Sequence, residues 1–186
     1  MDVDYEVIEP RFQQLRRYVL HDLNVLVQSE SSLNYTAALL IACACEALAW
    51  FRYGEKYIGD KFLAEMMLPS QWQPVAKSLY DALRDGLAHA FETKTIVVRQ
   101  HRFEIGIAWG THDHLTFDSA RALLYLNIFT MAKDLTLAID RYEEELKTNK
   151  EARARFYETM REMKNSFVKD VSTSPYERPV WESLLK

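Results

Sequence analysis

The chain has 186 residues, of which 48% are hydrophobic, and its formal net charge is −4 at pH 7. This length suits one domain, or one domain with an appendage, and the nine Phe, ten Tyr and four Trp residues suffice for a substantial core. The charged fraction of 27% argues against global disorder, and the acidic balance argues against a protein that coats nucleic acid without specificity, although it leaves room for a local basic site.

The N-terminal segment and the cysteines bear on the compartment. Residues 1–6 are acidic and lack the apolar core of an export signal, and the most apolar run, 37–51, is short for a membrane span. Cys43 and Cys45 lie two positions apart in a helical pattern, about 200° apart around its axis. They are therefore poorly placed to pair or to share a metal. We expect a reduced, cytoplasmic protein with no membrane association.

Helical periodicity dominates the first half of the chain. We predict a first helix that Pro10 opens in its first turn, and a second helix over 33–52 that the two preceding serines cap. A short third helix is expected over 60–67 and a long fourth helix over 73–91. The second helix is apolar nearly all round, which is typical of a central helix.

After the fourth helix the period changes from helical to alternating. Residues 95–99 and 103–109 alternate as strands do, and the polar turn 100–102 between them predicts a β-hairpin. A lone hairpin is marginally stable, so we expect it to pack on the helices or on a partner.

Two further helices complete the predicted order. The fifth is expected to begin at Thr116 or Asp118 and to end near Lys147. The sixth should cover 151–168, where apolar residues recur every three or four positions. The residues after it return to apolar character, and such a tail commonly docks on its own domain or on a sister subunit.

The predicted class is therefore all-α for the most part. Residues 1–147 form a helical domain that includes a small hairpin insertion at 94–109, and residues 148–186 form a C-terminal amphipathic helix and tail that dock on this domain or on a partner subunit.

The fourth helix carries the residues with the clearest chemistry. Asp85 and His89 are i and i+4 on a helix and so share a face, where the carboxylate can orient the imidazole and raise its basicity. Arg84 lies about 140° around the axis from His89. Its long side chain, a bend near Gly86 or a second protomer would have to bring the two groups together.

These groups match the needs of RNA cleavage by the RNA's own 2′-hydroxyl. That reaction requires a base near the hydroxyl, an acid for the leaving 5′-oxygen and positive charge for the phosphorane between them. A histidine with a pKa of about 6.5 can serve as either base or acid, and arginine supplies permanent charge with bidentate donors. No metal or other cofactor is needed. A plain surface salt bridge of Asp85 is the alternative interpretation of the same residues.

The spacing of Arg84, a polar residue, three further positions and His89 resembles the hallmark of the HEPN family, the nucleotide-binding helical bundles of bacterial toxins and nucleic-acid defence systems. The resembling helix pattern covers roughly residues 10–147. The resemblance implies an up-and-down bundle of four or five helices, commonly a homodimer, with the Arg and His of two subunits facing a shared cleft. It also implies a metal-independent endoribonuclease in which Arg84 stabilises phosphate charge, His89 is the acid and base, and Asp85 orients them.

Phe91 stands where family members often have a Tyr, whose hydroxyl a nucleotidyltransferase antitoxin can modify, and Phe91 lacks that hydroxyl. The resemblance implies RNA as the substrate, and an antitoxin or a nucleotidyltransferase as a further partner. Some family members have lost activity and serve as scaffolds. A catalytically inactive module that binds RNA or a nucleotide, or a plain dimerisation module, therefore stays open.

The hairpin carries a group of basic residues, Lys94, Arg99, His101 and Arg102, that could hold an RNA backbone. A charged edge that discourages strand pairing explains the same residues equally well.

Three other residues invite a site role. Glu46 is an isolated carboxylate in an apolar helix, and we expect Arg84 or a Tyr hydroxyl as its partner, in support of the motif or as a plain buried hydrogen bond. His112 and His114 are two positions apart in a loop and offer half of a metal site at most, so we expect a polar loop there and no metal.

Overall fold

The computed structural model of the protein describes residues 2–29, 33–90, 93–110 and 112–166, and gives the backbone alone for His89, Ala90, Asn165 and Ser166. Across these residues the fold is predominantly helical, with six helices and one small four-stranded sheet.

The helices in chain order are α1 (Tyr5–Gln28), α2 (Asn34–Tyr53), α3 (residues 59–67), α4 (residues 76–90), α5 (Ile128–Thr148) and α6 (Lys150–Ser166). The strands are β1 (Ile96–Val98), β2 (His101–Ala108), β3 (Thr116–Asp118) and β4 (Leu123–Asn127).

Two of the helices contain a π turn. In α3 the α-helical residues Gly59–Phe62 are followed by the π turn Leu63–Met67. In α4 the π turn Ala82–Gly86 lies between the α-helical segments Ala76–Asp81 and Leu87–Ala90. Hydrogen bonds in such a turn join residues five apart, so one turn holds an additional residue.

Helix α2 forms the centre of the core, as its apolar composition predicts. It packs against α1, α3, α5 and α6, and Ala37, Ile41, Leu48 and Phe51 on it are at most 1% exposed. This helix is long and apolar enough to cross a membrane, but 56% of that stretch is buried within the fold, as in the core helix of a globular domain.

Helix α6 belongs to the same core. The ring of Phe156 stacks on Phe51 of α2 at 4.5 Å between centroids, and it meets Phe12 of α1 edge to face at 6.1 Å. Tyr142 of α5 lies 5.9 Å from Phe12. The C-terminal helix therefore covers one side of the helices that precede it. The tail beyond residue 166 lies outside the described residues.

The turn between α5 and α6 is held by a buried arginine. Arg153 is 8% exposed, and its Nε donates to the Val3 carbonyl at 2.6 Å. Its Nη1 donates to the carbonyls of Leu146 and Lys147 at 3.0 and 3.1 Å. These last two carbonyls lie in the final turn of α5, where backbone oxygens have no helical partner. One side chain thus links the N-terminus to the end of a core helix.

The sheet has the strand order β1-β2-β4-β3, with β2 and β4 parallel and the other pairs antiparallel. Ile105 and Ile107 of β2 and Leu124 and Leu126 of β4 face the helices and join the core. The predicted hairpin is confirmed, with a shorter turn than predicted. The turn consists of Arg99 and Gln100 alone, whose φ values of 47° and 73° suit a two-residue hairpin loop.

The expected start of the fifth helix is wrong. Residues from Thr116 onward form β3 and β4, and α5 begins only at Ile128. Leu124 and Leu126 face the core through parallel pairing with β2, a contact between distant parts of the chain that overrides local helix propensity. Asn127 then caps α5, because its Oδ1 accepts hydrogen bonds from the backbone N–H groups of Phe129 and Thr130.

The expected start of the first helix is also wrong. Helix α1 begins at Tyr5, so Pro10 lies inside it. Two contacts explain the extra turn: Ile8 is fully buried, and the Tyr5 hydroxyl donates to Glu143 Oε1 at 3.0 Å. The serines predicted to cap α2 and the last residue of the predicted fourth helix, Phe91, lie outside the described residues.

Candidate functional site around the π turn of α4

The π turn of α4 spans the motif that the sequence singles out. Arg84, Asp85 and Gly86 lie within it, and the backbone of His89 lies one turn further along in the same helix. The π turn widens the helix between Arg84 and His89, which reduces the angle around the axis that separates their backbone positions. It is a local change of the helix near Gly86, the place of one of the three ways considered for bringing the two groups together.

Asp85 accepts hydrogen bonds from two cations. Arg84 Nη1 donates to Oδ1 at 2.9 Å, and Lys94 Nζ donates to Oδ2 at 2.8 Å. The Lys94 ammonium and the Arg84 guanidinium hold the pKa of the Asp85 carboxyl below its ordinary value, so this group stays ionised at neutral pH. The side chains of Arg84 and Lys94 are 43% and 50% exposed, which leaves both cations within reach of a solvent-borne anion.

Glu46 anchors α4 one turn before the motif. Its Oε2 accepts a hydrogen bond from the Tyr80 hydroxyl at 2.7 Å and one from the Gly59 backbone N–H at 3.0 Å, and its Oε1 accepts from the Tyr57 backbone N–H. The partner is thus a tyrosine hydroxyl, one of the two expected, while Arg84 pairs with Asp85. Burial, followed by the hydrogen bond to Glu46, raises the pKa of Tyr80. Glu46 therefore fixes where α4 lies against α2 and α3.

Gly59 is required by the same contact. A Cβ at this position would lie 2.4 Å from the Tyr80 hydroxyl oxygen, closer than atoms can approach. The absent side chain of Gly59 lets Tyr80 reach Glu46.

The basic residues of the hairpin do not form one cluster. Lys94 is paired with Asp85, whereas Arg99 lies in the turn. His101 and Arg102 are both exposed, but as neighbours in β2 they face opposite sides of the sheet. Only Lys94 is brought to the motif on α4.

His112 and His114 each have a protein contact of their own. The ring of His112 stacks on Tyr125 at 3.9 Å, and His114 Nδ1 accepts a hydrogen bond from the Asn127 backbone N–H at 3.1 Å. Burial lowers the pKa of His114 to about 4. Where the chain is described, no three His, Cys, Asp or Glu side chains form a group able to hold a metal ion.

The sequence interpretation missed a groove on the outer face of the sheet, the face that carries Glu104 and Gly106, and Tyr35 in the first turn of α2 also borders this groove. Its volume is about 650 Å³, and its lining includes Tyr35, Glu104, Trp109, His112 and Tyr125. The signal that could have revealed it is the pair of small residues Gly106 and Ala108, which lie on one face of β2 and contribute little side-chain volume there. Because the sequence predicts a helix where β4 lies, the prediction lacks the strand that completes this face.

Comparison with protein-family models, with curated proteins and with solved structures gives no match for this chain.

Proposed function

We propose that the protein is a cytoplasmic, metal-independent endoribonuclease that acts as a homodimer, in the manner that the HEPN resemblance implies. The observation that carries the proposal is the group of Arg84, Asp85 and Lys94 at the π turn, one turn before His89. Two exposed cations and one ionised carboxylate leave a local positive charge that favours a phosphodiester. An up-and-down arrangement of the helices and a toxin or defence role with an antitoxin or nucleotidyltransferase partner are part of this proposal.

The reaction needs no external reactant. The imidazole of one protomer's His89 takes the proton of a 2′-hydroxyl as the 2′-oxygen bonds to phosphorus. The bond from phosphorus to the 5′-oxygen breaks, and that oxygen takes a proton from the imidazolium of the second protomer. Arg84 stabilises the charge that develops on the non-bridging oxygens, with Lys94 nearby. The products are a 2′,3′-cyclic phosphate and a 5′-hydroxyl.

A second candidate function is a catalytically inactive module that binds RNA, a nucleotide or a partner. The observation in its favour is that both carboxylate oxygens of Asp85 are already engaged by Arg84 and Lys94. Such an ion pair also serves simply to fix the segment that follows α4.

The test is incubation of the purified protein with RNA in excess chelator, with mapping of the ends produced. We expect the wild-type protein to produce cyclic-phosphate ends, and we expect His89→Ala to produce none. The matched control is His21→Ala, which removes an exposed histidine of α1. Absence of cleavage with RNA still retained on the protein would favour the second candidate. Loss of self-association in Arg84→Ala without either activity would leave a dimerisation module.

A further inference from the structure

The groove on the outer face of the sheet has the size of a small-molecule site. Its volume of about 650 Å³ lies within the range of roughly 300–1,000 Å³ that is usual for such sites. Gly106 lines it and pairs in register with Tyr125 of β4. The side chain of Leu123 lies against Gly106, where a Cβ would meet its Cγ at 3.2 Å, and it forms part of the lining.

One wall of the groove is a stacked pair of rings. His112 lies over Tyr125 with 3.9 Å between centroids and 11° between ring planes. Tyr125 is 8% exposed, whereas His112 is exposed. The imidazole therefore covers the tyrosine and leaves its own outer face open. A flat ring with an open face is the platform on which single-stranded nucleic acids stack their bases.

Asn127 holds this platform in place. Its Nδ2 donates to the His112 carbonyl at 2.8 Å, and its backbone N–H donates to His114 Nδ1 at 3.1 Å. The same side chain caps α5 through Oδ1. The loop that carries His112 is thus attached at two points to a buried residue, so a ligand would meet a ring already in position.

A carboxylate that pairs with no other described residue lines the same groove. Within the described part of the chain, the side chain of Glu104 makes no hydrogen bond and no ion pair. An ionised carboxylate is an acceptor with two oxygens and pairs best with two adjacent donors. Guanine presents such a pair, N1–H and the N2 amine, on its Watson–Crick edge, whereas adenine, cytosine and uracil do not. Arg102 lies two residues away on the same face of β2, where it can meet a phosphate.

The groove adjoins the group at the π turn. Thr93 and Thr95 line the groove, and Lys94 between them donates to Asp85 of α4. Residues 93–95 thus form a wall shared by the two features.

We propose that this groove is a subsite for a guanine base, taken from a free nucleotide or from single-stranded RNA. His112 stacks on the base and Glu104 accepts from its N1–H and N2 amine. The RNA form of the proposal rests on the proposed nuclease function, in which the groove would select a guanosine near the bond that is cleaved. Recognition of the base itself does not depend on cleavage.

Calorimetric titration with the four nucleoside monophosphates and with inosine monophosphate tests the assignment. We expect guanosine monophosphate to bind roughly tenfold or more tightly than adenosine monophosphate, as for a two-point contact to one base edge. Inosine monophosphate keeps N1–H but lacks the N2 amine, so it should fall between them. Equal binding of all five, or binding of none, would overturn the proposal.

Two variants with matched controls locate the binding. Glu104→Gln should remove most of the preference for guanine, because an amide offers one acceptor, whereas Glu55→Gln at an exposed carboxylate outside the groove should leave it unchanged. His112→Ala should lower the affinity for every nucleotide by roughly five- to hundredfold, because the base loses its stacking partner. His21→Ala should leave the affinity unchanged. A preference that survives Glu104→Gln, or affinity that survives His112→Ala, would contradict the assigned roles. Thermal unfolding confirms that each variant is folded.

An RNA arm separates the two sources of the base. A hexamer with one guanosine should bind more tightly than the same hexamer with adenosine in its place. Preference for the free nucleotide alone would overturn the link to RNA. Guanine binding without RNA cleavage would reject the proposed nuclease function and would support the groove as a guanine subsite.

Discussion

Lys94 Nζ donates a hydrogen bond to Asp85 Oδ2 at 2.8 Å, and so ties the segment that leads into β1 to the π turn of α4. Asp85 also accepts from Arg84, so the carboxylate sets the position of two cations. The arrangement gives Asp85 a positioning role that a variant can test without removing either positive charge.

Asp85→Asn should lower kcat for RNA cleavage by roughly tenfold and change KM little, because Arg84 and Lys94 keep their charge but lose their fixed position. The matched control is Asp81→Asn, which removes the exposed carboxylate paired with Lys77 one turn earlier on α4. Steady-state cleavage of a defined RNA measures both. An unchanged kcat in Asp85→Asn would show that its ion pairs serve structure alone.

Tyr80→Phe should lower the free energy of unfolding by about 1–3 kcal/mol, since it removes the hydroxyl that donates to the half-buried Glu46. Glu46 keeps the backbone N–H groups of Tyr57 and Gly59, which limits the loss. Tyr18→Phe is the control, because Tyr18 is 61% exposed. Urea unfolding followed by circular dichroism gives both values, and equal stability of the two variants would refute the role of the contact.

His114 should make the protein less stable as the pH falls from about 6.5 to about 4. In the folded state burial keeps this imidazole neutral down to the lower value, whereas in the unfolded chain it takes up a proton near the higher one. The unfolded state therefore binds more protons in this window, and the loss reaches about 3 kcal/mol at most.

Asp134 lines the same small cavity as His114, and burial raises its pKa, so its protonation in the folded state opposes part of this loss. Urea unfolding at pH 7, 5.5 and 4.5 for the wild type, His114→Gln and Asp134→Asn separates the two contributions. His114→Gln should flatten the pH dependence, and a slope equal to that of the wild type would exclude His114 as its source. His21→Gln is the exposed control.

Arg153→Met should lower the free energy of unfolding by roughly 2–4 kcal/mol, because three carbonyls lose a charged donor while the variant keeps most of the apolar volume. Arg161→Met, at an exposed position of α6, should change it by less than about 0.5 kcal/mol. Thermal and urea unfolding measure both variants. A small effect at Arg153 would mean that water replaces the lost donors.

The sequence predicted the helices whose apolar faces follow a regular period. The central position of α2 follows from its composition, and the hairpin of β1 and β2 follows from alternation around a polar turn. Local pattern failed where a distant contact decides the structure. The segment 120–126 is rich in Ala and Leu, which favour helix, yet residues 120–122 form a turn and the pairing of Leu124 and Leu126 with β2 makes the rest a strand.

The sequence places Arg84, Asp85 and His89 in one motif, but it does not give the geometry of the candidate site or separate Lys94 from the other basic residues of the hairpin. The spacing from Arg84 to His89 can be read from the sequence, and so can the need of Glu46 for a partner. The pairing of Lys94 with Asp85 depends on the path of the chain after α4. The π turn cannot be read from the sequence, because its residues have ordinary helical character and only the packing of α4 against its neighbours selects the wider turn.

The surplus residue of that turn is also a place where the chain length can change without breaking the helix. Deletion of one residue within Ala82–Gly86 would let α4 continue as a regular α-helix, and because the wide turn already absorbs the additional residue, the helix from Leu87 onward would keep nearly the same orientation. Tyr80 precedes the turn, so its bond to Glu46 would remain. The loss of a single codon at this point would thus shorten the chain without breaking the helix.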